Sequence, residues 1–155
     1  MRPLAAALLV VGLLAGCSSA PTPTDTASPT PEASAPPVAV AEIAEGDRAD
    51  GVDVSVPGPT QVNYREITIE PGAGTGLHCH YGQLIAVVAQ GELTHYADIY
   101  PEGVHVYRTG ESIVEGAEYV HEGVNEGDED VVLWVTYITP EGKPLAETDL
   151  SKCEQ

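Results

Sequence analysis

The chain has no phenylalanine, a single tryptophan and a single methionine, so its core must rest on aliphatic side chains with tyrosines filling the larger gaps. Positive charge is scarce: 6 Lys and Arg stand against 24 Asp and Glu, a formal net charge of −18. Such a surface repels phosphate backbones and anionic headgroups, which excludes nucleic acid as a partner and peripheral binding to an acidic leaflet. Its plain consequence is solubility outside the cell. The apolar run Leu4 to Leu14 is too short to span a bilayer comfortably. No stretch combines helical periodicity with caps over more than a couple of turns. There is no Gly-X-Ser-X-Gly elbow, no phosphate loop, no His-Glu-X-X-His, and no serine or cysteine in a recognisable nucleophile context. Hydrolase, nucleotide-binding and zincin chemistries therefore have no sequence support.

The two ends carry their own signals. Arg2, the apolar run and the small residues Leu14-Ala15-Gly16-Cys17 follow the order of a targeting segment. The tetrapeptide resembles the bacterial lipobox, which implies that residues 1–16 are a lipoprotein signal peptide and that Cys17 carries the lipid. An ordinary secretory signal with an incidental cysteine is the alternative. Multiple acyl chains on one residue supply the double anchor that stable attachment needs, so the expected location is the cell membrane, on its extracytoplasmic face. Residues 17–41 are dominated by Pro, Thr, Ser and Ala without apolar periodicity. They cannot bury enough surface to offset their ordering entropy and read as a disordered linker. One domain is expected over residues 42–144, followed by a C-terminal tail, 145–155.

That domain reads as β throughout. Gln61 to Glu70 alternates with β-branched and aromatic residues, and Pro71-Gly72 stops it. Leu84 to Ala89 is continuously apolar, as for a strand buried on both faces. Glu92 to Ile99, Val104 to Arg108, Glu111 to Glu115, Glu118 to Glu122 and Val131 to Thr139 complete a series of strands between Gly and Pro turns. Asn125-Glu126-Gly127-Asp128 reads as a type I′ hairpin turn. Many short strands and no helix mean an all-β sandwich or barrel.

His78 and His80 are one residue apart, so on a strand both imidazoles leave from the same face and Cys79 from the other. Imidazole suits zinc, copper, iron and nickel, and two rings so placed are ready to chelate. His121 lies far along the chain and joins them only on folding. Around these histidines the glycines keep a fixed spacing: Gly72, five residues, His78-X-His80, then Leu84 and Gly91; later Gly110, Gly116, Glu118, His121 and Asn125.

Taken in order, these residues resemble the two motifs of the cupin superfamily, over about Glu42 to Pro144. The first motif is complete except that Leu84 stands where the family has its metal-binding glutamate. In the second, Gly116 replaces the proline and Glu118 the glycine. The resemblance implies a single jelly-roll β-barrel, with His78, His80 and His121 as ligands to a divalent metal: Zn, Mn, Fe, Cu or Ni. Leucine cannot ligate, so three neutral imidazoles would hold the ion with positions open for water or a ligand, a workable catalytic geometry in other folds. Gln83 points opposite and reads as structural. His95 and His105 either line the cavity or lie on the surface, and Glu118 either supplies the missing carboxylate or is a solvated turn residue.

With Cys17 lipidated, Cys79 and Cys153 remain. An even pair in an oxidising compartment points to a disulfide. A thiolate ligand at Cys79 and two free thiols are the alternatives. The leading functional expectation is a membrane-anchored cupin that binds a divalent metal, a small-molecule ligand, or both. A metal-dependent oxygenase or isomerase of a small extracellular molecule, and a metal-free binding or assembly module, are the alternatives. Dimerisation through sheet edges is a further expectation from the family resemblance.

Overall fold

A computed structural model describes residues 38–117 and 119–153. The signal peptide, Cys17 and most of the linker lie outside these residues, as does Glu118. Seven strands follow in order: β1 (Thr60–Ile69), β2 (Gln83–Gln90), β3 (Glu92–Ala97), β4 (Val104–Arg108), β5 (Ser112–Glu115), β6 (His121–Val124) and β7 (Val131–Pro140), then a 3₁₀ turn, Leu150–Lys152. Among the described residues no helix is long and apolar enough to cross a membrane.

The strands form two antiparallel sheets, one in the order β1-β7-β2-β5 and the other β4-β3-β6, giving the jelly roll expected from the motifs. Alternation drives the packing. β7 buries Val131, Leu133, Val135, Tyr137 and Thr139 on one face and leaves the intervening residues half-buried or exposed. Val131, Leu133, Val135 and Tyr137, together with Ile69, Leu84, Ala86, Val88, Leu93, Tyr107 and Ile113, make one core between the sheets. At about 25 cal/mol per Å² of apolar surface, that core is the main stabilising term.

Three local expectations are corrected. β2 is not buried on both faces: Leu84, Ala86 and Val88 are buried, while Ile85 and Val87 are half-buried on the outer face. Asn125 to Asp128 is not a hairpin, because β6 and β7 belong to different sheets. Gly127 has no positive φ; its N–H donates to Asn125 Oδ1 at 3.0 Å while the Asn125 amide donates to the Ile69 and Glu129 carbonyls. The side chain of Asn125 thus pins a crossover. Finally, His78 and His80 do not sit in a regular strand. Their segment instead bridges to β6 at Gly74–Val124 and His78–His121 and to the tail at Cys79–Glu147.

Two glycines are fixed by space. At Gly91, between β2 and β3, φ is +78° and a Cβ would meet the Asp130 carbonyl at 2.8 Å. At Gly82 a Cβ would collide with the Ile138 carbonyl and Thr139 Cα, so β2 enters the sheet beside β7 only without a side chain there.

Candidate metal centre

The site lies between the two sheets, where their strand ends meet. His78 and His121 exchange both backbone hydrogen bonds, 3.0 and 2.9 Å, which brings the first-motif segment against the start of β6. His78, His80 and His121 are all buried, and one ring nitrogen from each lies within 4.8 Å of the others. Alternation holds locally without a regular strand: Cys79 turns away from the two histidines and under the tail.

Each of the three rings is oriented by a backbone carbonyl. His78 Nδ1 donates to Gly76 O at 2.9 Å, His80 Nδ1 to Leu145 O at 2.6 Å and His121 Nδ1 to Tyr119 O at 3.0 Å. A carbonyl only accepts, so every Nδ1 carries the proton, and a neutral ring then leaves its Nε2 lone pair bare. Such partners are what fix the tautomer and direction of metal-ligating imidazoles. By its donor chemistry, this set of residues fits a divalent metal.

Two further residues stand at the centre: Glu115, which the sequence did not single out, and His95, which it left open between the cavity and the surface. Glu115, at the end of β5, is buried, with Oε2 2.9 Å from His80 Nε2 and 3.2 Å from His121 Nε2. His95, in the middle of β3, is 1% exposed. Its Nε2 lies 3.1 Å from Glu115 Oε1, though off the line of a well-formed hydrogen bond, and its Nδ1 accepts from the Tyr100 hydroxyl at 2.8 Å. His95, Glu115 and His121 make a second cluster with metal-ligand spacing, sharing His121 with the first. A signal for Glu115 existed: it follows Ile113 on the same strand face, so alternation aims it into the core. His105 does not join the centre; it is exposed and stacks on Tyr100. Gln83 is half-buried and bonds the backbone of Asp53 and Ser55 instead.

The electrostatics follow from this packing. Burial alone would raise the carboxyl of Glu115, but contacts with His121, His80 and His95 outweigh it and hold the group well below its ordinary range. Burial would likewise lower His121, yet the Glu115 carboxylate raises it above its ordinary value. His78 is lowered, chiefly by burial. Burial also raises the phenol of Tyr100, so its hydroxyl remains a proton donor to His95.

A cavity of about 40 Å³ adjoins the cluster, with Leu84, Leu93, Ile113, Leu133 and Val135 among its walls and His78, His80 and Glu115 at its polar end. At roughly 10–15 Å³ per water, it has room for a few water-sized molecules.

The tail closes the site from outside. Cys79 is joined to Cys153 with Cα atoms 5.9 Å apart, and Cys79 exchanges backbone hydrogen bonds of 3.0 and 2.9 Å with Glu147. The Tyr81 hydroxyl donates to Glu147 at 2.9 Å.

The Cupin domain family model matches residues 65–137, while no curated protein matches the chain. Among solved structures the chain is similar to a cupin-like protein from Thermotoga maritima, at 25% identity over 56% of this chain and 62% of that one with a TM-score of 0.47. It is also similar to a sugar phosphate isomerase of the cupin superfamily from Silicibacter pomeroyi, at 26% identity over 49% of each chain and a TM-score of 0.43. A third is the polyketide cyclase RemF from Streptomyces resistomycificus, at 18% identity over 62% of this chain and 66% of that one, TM-score 0.49. The chain thus spans about half to two thirds of these proteins, and at such TM-scores the likenesses carry nothing about chemistry. The family match does carry weight, because it covers β2 to β6 whole, together with all five residues of the centre: residues 65–137 are a domain of the cupin superfamily.

Proposed function

We propose that this chain is a membrane-anchored, extracytoplasmic cupin that holds one divalent metal ion in its barrel through His78, His80 and His121, for binding a small ligand. The observation that carries this reading is the set of hydrogen bonds from each Nδ1 to a backbone carbonyl, which leaves three Nε2 atoms facing inward. Bound metal would act as a Lewis acid toward a water-sized ligand in the adjoining cavity. Within the chain, the aliphatic wall limits what enters and the carbonyl partners hold the rings in place.

The test is metal content by elemental analysis together with thermal unfolding of the purified protein. Stoichiometric metal and a midpoint that rises with zinc, manganese, iron, copper or nickel concentration are expected. His78→Ala, His80→Ala and His121→Ala should each abolish the rise, whereas His105→Ala should not. A protein without metal, indifferent to all five ions, would sink the reading.

One observation favours a metal-free module as the second reading. Glu115 is held ionised among three imidazoles, so a protonated histidine paired with this carboxylate could balance the site's charge without metal. The same titration separates the two readings.

A further inference from the structure

Three donor atoms at the centre form a small triangle. Glu115 Oε2 lies 2.9 Å from His80 Nε2 and 3.2 Å from His121 Nε2, and the two nitrogens are 3.2 Å apart. Both rings spend their Nδ1 protons on carbonyls. With neutral rings, two nitrogen lone pairs and a carboxylate oxygen would therefore crowd together with no proton between them. One shared proton relieves one edge of the triangle, whereas a cation at its apex relieves all three. The edges also have the right length. Ligand bonds of about 2.1 Å place neighbouring donors about 3.0 Å apart at right angles and about 3.4 Å apart at the tetrahedral angle.

We infer that Glu115 is the carboxylate ligand of the metal centre, supplied from β5 in place of the residue that Leu84 cannot be on β2. This rests on the reading that the centre holds metal. Leu84 and Glu115 are direct partners in the β2–β5 ladder, and both line the same cavity. Side chains so paired start about 4.5–5.5 Å apart on one face of a sheet. A carboxylate from position 115 therefore reaches the space that a longer acidic side chain at position 84 would enter. His95 is a positioning residue in this arrangement. Its Nε2 lies against Glu115 Oε1, and Tyr100 holds its other nitrogen, so the free oxygen, Oε2, is turned toward His80 and His121. The donor set becomes three imidazoles and one carboxylate, and the carboxylate offsets half the charge of a dication.

The experiment loads the full chain with Co²⁺ and measures affinity by chelator competition and the ligand-field absorption bands. Glu115→Gln keeps the shape of the side chain and removes its charge. It should weaken Co²⁺ binding about 100-fold or more and shift the bands. His95→Gln should weaken binding within the roughly 10–100-fold range of an outer partner and leave the band positions unchanged. Leu84→Glu combined with Glu115→Leu returns the carboxylate from the opposite strand. This pair should regain affinity to within 10-fold of the parent, and it decides the matter if Glu115→Gln fails to fold. Parental affinity and bands in Glu115→Gln, or a folded Glu115→Leu variant that binds as tightly as the double variant, would overturn the inference and leave the three-histidine reading standing. A parent that binds no Co²⁺ would remove both.

Discussion

His121 touches every other member of the centre: it bridges to His78 through the backbone, faces His80 and Glu115 through Nε2, and packs beside the His95 ring. Its protonation therefore reports what occupies the site. Without metal, His121 is raised above 6.5, so its contribution is complete below that unfolded value and is lost as pH rises through the folded one. Glu115 is depressed, so its contribution is present above its unfolded value of 4.5 and is lost as pH falls through the folded one. The stability that these two groups contribute to metal-free protein is greatest between those two values and falls toward pH 8, while His78, lowered by burial, works in the opposite sense and its penalty vanishes above 6.5. Metal binding needs bare imidazoles, so the metal-dependent gain in midpoint should instead grow toward pH 8. Thermal unfolding across pH with and without metal checks this, and a metal-dependent gain that shrinks from pH 6 to pH 8 would contradict it. At this scale the sequence revealed the three histidines, because His-X-His and a distant histidine within glycine frames form a local pattern. Glu115 was hidden among 24 acidic residues; only the strand register that pairs it with Leu84 distinguishes it. His95 was hidden because a histidine in an alternating strand looks the same whether its face meets water or the centre.

Among the elements, the segment after β7 does more than end the chain. Leu145 accepts from His80 Nδ1, Glu147 bridges to Cys79, and Cys153 is bonded to Cys79, between the two first-motif histidines. Cys153→Ser should therefore act twice. Opening a crosslink between residues 74 positions apart should cost about 2–5 kcal/mol of stability in urea unfolding. Loosening the Leu145 carbonyl should weaken metal binding roughly 10-fold or more, as loss of an outer partner does. Unchanged metal affinity in the folded variant would show that the tail does not orient His80. Gly82→Ala tests the other end of the same segment. Its methyl group meets the β7 backbone, which cannot move aside as a side chain can, so a cost of at least about 1–3 kcal/mol is expected. The strands themselves were legible from alternation and glycine punctuation to within a few residues. The crossover at Asn125 was not, because its Asn-X-Gly pattern looks local, while the Ile69 carbonyl that fixes it lies 56 residues away.

For the whole molecule, the charge balance and the N-terminal sequence bear on the proposed membrane anchor. With 24 acidic and 6 basic residues, the chain gains nothing from anionic lipid, and Arg2 is lost if residues 1–16 are removed. Attachment by surface charge is therefore unavailable, and the ordered run of Arg2, Leu4 to Leu14 and Leu14-Ala15-Gly16-Cys17 offers a covalent route in its place. A lipid on Cys17 predicts a membrane association insensitive to ionic strength, since hydrocarbon burial is not screened by salt whereas charge attraction is. The protein should remain with the membrane fraction in high salt and partition into detergent. Cys17→Ser should release it to the soluble fraction or leave it unprocessed, with the signal segment still attached. Fractionation followed by intact-mass measurement distinguishes these outcomes. A Cys17→Ser variant that is processed and stays membrane-bound like the parent would remove the lipid anchor from the proposed function, while leaving the metal centre, built wholly within β2 to β6 and the segments beside them, to be judged on its own tests.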